Sequence, residues 1–166
     1  MVPADSPLRD EAGVVLRSMA NLELVALVVR EYEPVIRFFV DVLQLELVED
    51  TPSLTNDGRQ KRWVVVRPSG AQTGILLARA DGEHQVTVIG QQFAGRVGLF
   101  LRVEDFDASY QRMLDGGVRF VSEPRVEAYG KVAVFLDLEG NHWDLLGPAR
   151  PLGGDEKGRL LPLADP

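Results

Sequence analysis

The chain of 166 residues contains no cysteine. Disulfide bonds, thiolate metal ligands and a cysteine nucleophile are therefore excluded, because each of them requires a thiol. Histidine is also scarce, since His84 and His142 are the two histidines of the chain. A histidine-rich metal site is impossible with so few imidazoles.

Long apolar runs and an excess of positive charge are missing as well. The longest unbroken apolar run is residues 24–29, whereas a helix that crosses a bilayer needs about 20 residues. Basic residues number 18 against 25 acidic residues, and the net charge of −7 disfavours a nucleic-acid partner. Charged residues precede the first apolar stretch, the opposite of a secretory signal. We therefore expect a cytoplasmic protein without a membrane or nucleic-acid partner.

The remaining composition is that of an ordinary globular domain. Apolar residues make up 45% of the chain and charged residues 26%. A chain of 166 residues is long enough for one domain with a sizeable core. Proline and glycine are frequent after residue 147, where they oppose regular structure. We expect an N-terminal extension over 1–20, one organised domain over 21–147 and a loosely packed tail over 148–166.

The organised domain contains an internal repeat. Residues 29–33 align with residues 103–107, and each copy continues from a strand through an acidic turn into an amphipathic helix. A further strand and a hairpin follow each helix. The sequence therefore predicts an α+β fold in which a βαβββ unit occurs twice. The predicted parts are module one over about 21–80, a connector over 81–95 and module two over about 96–147.

Local signals mark the ends of the two predicted helices. Glu31 and Asp105 stand where a carboxylate can cap or complement a helix N-terminus. The second helix ends in a glycine pair that permits a left-handed residue, whereas the first copy has Gln44 at that place. A strand is expected after each helix, at residues 45–47 in the first copy and 118–120 in the second.

The most specific part of the sequence is residues 135–145, FLDLEGNHWDL, where an acidic turn leads through Gly-Asn into a strand with a carboxylate. Further characteristic stretches are residues 28–31, 37–39, 42–45, 89–92 and 129–130. Together these stretches resemble the vicinal oxygen chelate superfamily, which includes glyoxalase I, bleomycin-resistance proteins and extradiol dioxygenases. The resemblance covers about residues 22–147 and is greatest for the bleomycin-resistance branch.

The resemblance implies an architecture and an oligomeric state. The two modules would curl into an open, U-shaped mixed sheet with the helices outside and a small-molecule pocket on the concave face. Many members of the superfamily are homodimers, and some complete each cup with a module from the partner chain. We therefore expect a small-molecule ligand and a homodimer.

The resemblance also locates four positions for metal ligands, one on each of four strands. In this sequence they fall on Leu24, Leu76, Gly98 and Asp144. Leucine and glycine side chains have no lone pair to donate, and one carboxylate is too few to hold a divalent metal. We therefore expect no metal and no cofactor. Gly98 would leave space for a larger and flatter guest.

Asp144 and His142 are the polar candidates for the pocket. Asp144 could orient a ligand donor or act as a base with a raised pKa, or it could simply be bonded to a neighbouring arginine or to water. Strand alternation places Trp143 and Leu145 on the opposite, helix-facing side. His142 could share the face of Asp144, or lie at the rim as a turn residue.

Aromatic residues supply the remaining candidates. Trp63 could stack on a planar ligand, although a tryptophan of the core is the commoner case. Phe100, Phe120 and Tyr129 are expected to line the cup. Arg79, near its mouth, could pair with an anionic ligand or form a surface salt bridge.

These residues favour metal-independent binding of a small, flat or hydrophobic molecule in the concave sheet. The alternative is a lyase, isomerase or dioxygenase of the same superfamily that uses Asp144 and possibly a metal. A third possibility is a structural or regulatory dimer whose cup is packed shut by Leu24, Leu76 and Phe100. The residues alone leave all three open.

Overall fold

A computed structural model describes residues 20–148, so that the expected N-terminal extension and the tail fall almost entirely outside the described residues. The elements are β1 Leu24–Val29, α1 Tyr32–Arg37, a π-helical turn Phe38–Val42, β2 Glu46–Leu54, β3 Gln60–Arg67, β4 Gly74–Arg79, α2 Glu83–Val88, β5 Val97–Arg102, α3 Phe106–Asp115, β6 Arg125–Glu127, β7 Gly130–Leu136 and β8 His142–Leu146. None of the helices in this part of the chain is long and apolar enough to span a membrane.

The strands form two open, four-stranded mixed sheets, one in each module. Their orders are β1–β4–β3–β2 and β5–β8–β7–β6. In each sheet the first strand of the module lies parallel to the last, and the remaining pairs are antiparallel. The predicted α+β class and the repeated βαβββ unit are confirmed. The connector contains a helix, α2, that the sequence analysis does not predict.

Module two departs from the predicted repeat after its helix. The expected strand over 118–120 is reduced to one isolated bridge between Phe120 and Phe135, and the paired strand β6 begins at Arg125. At the interruption, the Ser122 hydroxyl accepts a hydrogen bond from the Val134 backbone N–H at 2.8 Å. A side chain thus replaces a backbone carbonyl as the partner of β7, and the regular ladder stops there.

The ends of the helices follow the local signals unequally. The Asp105 carboxylate accepts a hydrogen bond from the Ala108 backbone N–H at 3.0 Å and so caps α3. Glu31 makes no capping hydrogen bond at the start of α1. Gln44 adopts a φ of 58°, the left-handed conformation that a glycine would adopt more easily. The first helix is therefore followed by the left-handed residue that a helix end favours, but that residue is a glutamine and not a glycine.

One hydrophobic core joins the two modules. The ring of Trp143 in β8 lies 5.7 Å from that of Phe39 in the π-helical turn and 5.8 Å from that of Phe135 in β7. Leu77 and Leu145, from the two sheets, are fully buried in the same cluster. Each side chain of this size stabilises the fold by about 2 kcal/mol through its burial.

Each sheet turns one face towards this core, and we call the other its open face. Strand alternation assigns the side chains to the two faces, because successive residues point in opposite directions. In module one the open face carries Leu24, Ala26, Trp63, Val65, Leu76 and Ala78. In module two it carries Phe100, Val134, His142, Asp144 and Leu146.

The acidic turn between β7 and β8 is organised by Asp137, which is buried. Its carboxylate accepts hydrogen bonds from the backbone N–H groups of Glu139 and Asn141 at 3.0 and 2.9 Å. It also accepts one from the Asn141 side-chain amide and one from the Trp143 indole N–H, each at 3.0 Å. The most specific stretch of the sequence therefore has a structural role, because the Asp137 carboxylate fixes both the turn and the core tryptophan, Trp143.

The connector and this turn hold β1 against module two. The Gln92 side-chain amide donates to the Ala26 carbonyl at 2.6 Å and accepts from the Val28 backbone N–H at 2.9 Å, as a neighbouring strand would. Gly90 lies directly against the turn, where an added Cβ would stand 2.3 Å from the Glu139 carbonyl oxygen. The two modules are therefore joined by polar contacts as well as by the core.

Candidate functional site

The open face of module one is built from alternate residues of β3 and β4. Ile75 and Leu77 belong to the core, so Leu76 and Ala78 point the other way. Trp63 lies on the same face of the neighbouring strand and is half-buried. The buried tryptophan of the core is Trp143, whereas Trp63 lines the cavity at the ends of these strands.

A cavity of about 450 Å³ lies along the ends of these two strands. Trp63 and Leu76 line it together with the β2–β3 loop and the chain that follows β4. A second cavity of about 590 Å³ shares residues with the first, among them Lys61 and Arg79. Residues between 31 and 85 make up both linings, so neither cavity contains a residue of module two.

Ion pairs hold the loop side of the first cavity. The Arg59 guanidinium donates to Asp57 at 2.8 Å and pairs in bidentate fashion with Asp81. A hydrogen bond from the Thr55 hydroxyl, followed by those from Arg59, lowers the pKa of Asp57 to about 2. Arg59 likewise lowers the pKa of Asp81. The loop is thus tied to the chain after β4 by a bridge that stays charged at neutral pH.

A second ion-pair cluster is centred on Arg62. Its guanidinium bonds to Asp50 at 2.9 and 2.5 Å and also pairs with Glu33, and these bonds lower the pKa of both carboxyls. The same guanidinium lies 4.9 Å from the centre of the Tyr32 ring. The Tyr32 hydroxyl in turn donates to the Arg62 backbone carbonyl at 3.1 Å. The Arg62 side chain, which lines both cavities, is therefore fixed by several contacts at once.

Asp144 lies on the open face of module two and is 8% exposed. One of its carboxylate oxygens, Oδ1, is buried without a hydrogen-bond partner among the described residues. Burial raises the pKa of Asp144 above its usual value, because desolvation penalises the charged form, and the charge of Arg125 opposes this shift only in part. An unpaired buried carboxylate oxygen costs stability.

Apolar side chains surround this carboxylate. The strand register places Phe100 beside Asp144 on one side and Val134 on the other. Phe100 is 62% exposed, although its side chain is large and apolar. His142 lies two residues before Asp144 on the same face and is half-buried. The structure brings these residues together as expected, but on the sheet that does not line the cavities.

Gly98 does not leave open space on this face. The register of β5 and β8 shifts between Val97 and Leu99, which places Gly98 in an irregularity and takes it out of step with Phe100. A Cβ added at Gly98 would lie 2.1 Å from the Phe93 ring. The expectation of room for a larger guest at Gly98 is therefore wrong, because the Phe93 ring from the connector occupies that space.

Two further aromatic candidates are Phe120 and Tyr129. Phe120 packs against the core, with its ring 4.3 Å from that of Tyr110 and 5.8 Å from that of Phe135. Its assignment to the pocket wall is wrong, since the isolated bridge to Phe135 turns it towards the helix side. Tyr129 lies in the tight turn between β6 and β7 and is 53% exposed.

Similarity to known proteins agrees with this geometry. A family model described as the Glyoxalase/Bleomycin resistance protein/Dioxygenase superfamily matches residues 21–145. The chain belongs to this superfamily. The resemblance noted from the acidic turn and the internal repeat is thereby confirmed.

Individual proteins are similar to this chain over most of their length. An uncharacterized protein of Shewanella frigidimarina (strain NCIMB 400) is 49% identical over 123 residues, which are 74% of this chain and 89% of that protein. The uncharacterized protein YetH of Bacillus subtilis (strain 168) is 25% identical over 120 residues, 70% of this chain and 89% of YetH. The crystal structure of TnmS3, an antibiotic binding protein from Streptomyces sp. CB03234, superposes with a TM-score of 0.63 at 28% identity. That superposition covers 80% of this chain and 99% of TnmS3.

The metal ligands that the superfamily resemblance implies do not fit the residues present. Leu24 and Leu76 are half-buried hydrocarbons on the open face, and Gly98 faces the Phe93 ring. Asp144 is the one carboxylate among the four positions. Within residues 20–148 no three His, Cys, Asp or Glu side chains form a group that could hold a metal ion. The donor set is therefore too small for a divalent metal.

Several residues of the site escape the sequence analysis. Lys61 could be found, because it shares the strand and the parity of Trp63. Arg59 and Asp81 meet across the fold at a sequence separation of 22 residues, and no local pattern indicates that contact. Phe93 lies in a connector without strand or helix periodicity, so nothing in the sequence indicates that it fills the space beside Gly98.

Proposed function

We propose that this protein binds a small, flat or hydrophobic molecule on its open sheet faces, without a metal. The observation that carries the proposal is the cavity of about 450 Å³ beside Trp63 and Leu76, at a position where a metal ligand would be expected. Its volume is within the usual range of about 300–1,000 Å³ for small-molecule pockets. A half-buried indole beside an aliphatic side chain provides a flat, apolar contact surface.

Two further observations support a binding function. TnmS3, an antibiotic binding protein, has a similar fold and is 28% identical in sequence over the superposed region. The interpretation of a cup that is packed shut is disfavoured, because Leu76 lines the cavity and Phe100 is 62% exposed. Sequestration of a toxic aromatic compound would be one use of such a pocket.

The proposed binding unit is a homodimer. Trp63 and Leu76 line a cavity in module one, whereas Phe100, His142 and Asp144 lie on the open face of module two. A second copy could bring its module two over the first copy's module one and combine the two half-sites. The exposed Phe100 ring on the edge strand β5 is the apolar surface that such a contact would cover.

The dimer is tested by light scattering coupled to size-exclusion chromatography. Phe100→Glu would place a charge in the interface and convert the dimer to a monomer at micromolar concentration. Leu114→Glu is the matched control, because Leu114 is also an exposed apolar residue but lies on α3. A wild-type protein that elutes as a monomer at all concentrations would refute the shared cup.

Ligand binding is tested by calorimetry with 2-naphthamide, a neutral planar probe. Trp63→Ala should weaken its binding about tenfold, since loss of an aromatic stacking partner and of its buried area costs about 1–1.5 kcal/mol. Val126→Ala, at an exposed apolar residue outside both cavities, should leave the affinity unchanged. Equal affinity of wild type and Trp63→Ala would show that the probe does not use the proposed surface.

The runner-up is a lyase, isomerase or dioxygenase, and Asp144 is the observation that favours it. The Asp144 carboxyl is desolvated and its pKa is raised, so it holds a proton more readily than a surface carboxyl and could exchange that proton with a ligand. Elemental analysis of the purified protein separates the two functions. Stoichiometric nickel, zinc, iron or manganese that is lost in Asp144→Ala would favour the enzyme and count against metal-independent binding.

A further inference from the structure

The lining of the cavity in module one is rich in cationic side chains, although the protein as a whole is acidic. It contains four cationic side chains, those of Arg59, Lys61, Arg62 and Arg79, and two carboxylates, those of Asp57 and Asp81. The whole chain carries a net charge of −7. The lining itself therefore has two more cations than carboxylates, and the two carboxylates paired with Arg62, those of Glu33 and Asp50, lie outside it.

Two of the four cations are already neutralised by their neighbours. Arg59 is paired with both Asp57 and Asp81. Arg62 is paired with Glu33 and with Asp50 of β2. These guanidiniums have two carboxylate partners each, so they offer little charge to a ligand.

The other two cations, Lys61 and Arg79, form no salt bridge with any residue of the described part of the chain. The charge of Arg79 does contribute to the lowered pKa of Asp81, but the hydrogen bonds of that carboxylate come from Arg59. Both Lys61 and Arg79 line both cavities. Strand alternation places Lys61 on the face of Trp63 and Arg79 on the face of Leu77 and Tyr32, and the cavities at the strand ends are lined by both residues.

The position of Arg79 is held by its surroundings. Its guanidinium lies 5.6 Å from the centre of the Tyr32 ring, which is itself buried and hydrogen-bonded to the backbone of Arg62. A cation over an aromatic face is held by the quadrupole of the ring and loses less freedom when it binds an anion. A guanidinium so placed can donate two parallel hydrogen bonds to a carboxylate.

We propose that Lys61 and Arg79 form a subsite for the anionic group of the ligand, whose planar part contacts Trp63. The inference rests on the proposed function and names its ligand class, a planar aromatic acid. All three residues line the same cavity of about 450 Å³. Because the two cations lack acidic partners, a carboxylate would bind there without first displacing a salt bridge.

The subsite is tested by isothermal titration calorimetry with two matched probes, 2-naphthoate and 2-naphthamide. They have the same ring system and differ in charge. Wild type should bind 2-naphthoate at least about tenfold more tightly, as expected for one charge-assisted bidentate contact. In the Lys61→Gln, Arg79→Gln double variant the two affinities should become equal, while the affinity for 2-naphthamide stays as in wild type.

Arg119→Gln is the control variant, since Arg119 is exposed, forms no salt bridge within residues 20–148 and lies outside both cavities. It should keep the full preference for 2-naphthoate. The single variant Lys61→Gln should retain part of that preference, which would exclude a general loss of structure as the cause.

The outcomes separate this subsite from the proposed function. Equal binding of both probes by wild type would overturn the anion subsite and leave the binding of flat molecules intact. A preference for 2-naphthoate that survives in the double variant would place the anion elsewhere and would also overturn it. If neither probe binds, both the subsite and the proposed function for flat molecules fail.

Discussion

Asp144→Leu should stabilise the protein, although it replaces a buried residue. The carboxylate is 8% exposed, its Oδ1 has no partner among the described residues, and its neighbours Phe100, Val134 and Leu146 are apolar. An unsatisfied buried polar group costs about 1–3 kcal/mol, and its replacement by a hydrocarbon of similar size is neutral or favourable. We expect a gain of about 1 kcal/mol in the free energy of unfolding at pH 7, after allowance for imperfect packing.

The same substitution at Asp137 should have the opposite sign. Asp137 is as deeply buried as Asp144, but its carboxylate accepts hydrogen bonds from four donors, one of them the Trp143 indole. Asp137→Leu would leave those donors unpaired, and the buried ones among them would each cost about 1–3 kcal/mol. A loss of about 3 kcal/mol is expected, together with disorder of the β7–β8 turn.

The assay is urea denaturation at pH 7, monitored by circular dichroism and analysed by linear extrapolation. The two variants make the same chemical change at two equally buried sites. The difference between their free energies of unfolding therefore reports the hydrogen bonds of Asp137 and not its burial. If Asp144→Leu destabilises the protein as much as Asp137→Leu does, Asp144 has a structural partner. Asp144 would then be a structural residue and not a group that is free to bind a ligand.

Three further outcomes follow from particular residues. The gain in Asp144→Leu should shrink as the pH falls from the raised folded-state pKa towards 3.8, because the folded wild-type carboxyl takes up a proton before the unfolded one does and so escapes the cost of burying its charge. Denaturation curves from pH 7 to 3.5 check this. Gly90→Ala should lower the free energy of unfolding by at least about 2 kcal/mol more than Gly82→Ala does. Both glycines have a positive φ, but only at Gly90 would the added Cβ meet a carbonyl oxygen. Thermal melts measure both variants, and equal shifts of the melting temperature would contradict this. Asp105→Ala should lower the free energy of unfolding by about 1 kcal/mol, because it removes the cap of α3, whereas Glu31→Ala should change it little, because Glu31 makes no capping hydrogen bond. Equal losses of the two variants in urea denaturation would contradict the observed capping.

The sequence was sufficient for the fold because its signals are local and occur twice. Strand alternation correctly sends Trp143 and Leu145 to the core and Asp144 to the open face. The aligned acidic turns before the two helices reveal the duplication, and the turn at Asp137 is fixed by four donors that lie within six residues of it. Patterns of this kind depend on neighbours within a few residues along the chain.

The site was predictable only in part, because its contacts are not local. One irregularity in β5 moves Gly98 out of step with Phe100, and parity arguments fail at such a point. The Phe93 ring that covers Gly98 comes from the connector, and the salt bridge between Arg59 and Asp81 joins two loops across the sheet. These positions depend on how the chain returns upon itself, which a residue pattern does not specify.

The central claim is that the open sheet face beside Trp63 binds flat molecules without a metal. Its most direct test is calorimetric titration of 2-naphthoate into protein that has been dialysed against EDTA, repeated after addition of zinc, nickel, iron(II) or manganese. The account predicts the same dissociation constant in every sample and a loss of affinity in Trp63→Ala. Binding that appears only after a metal is restored would contradict it.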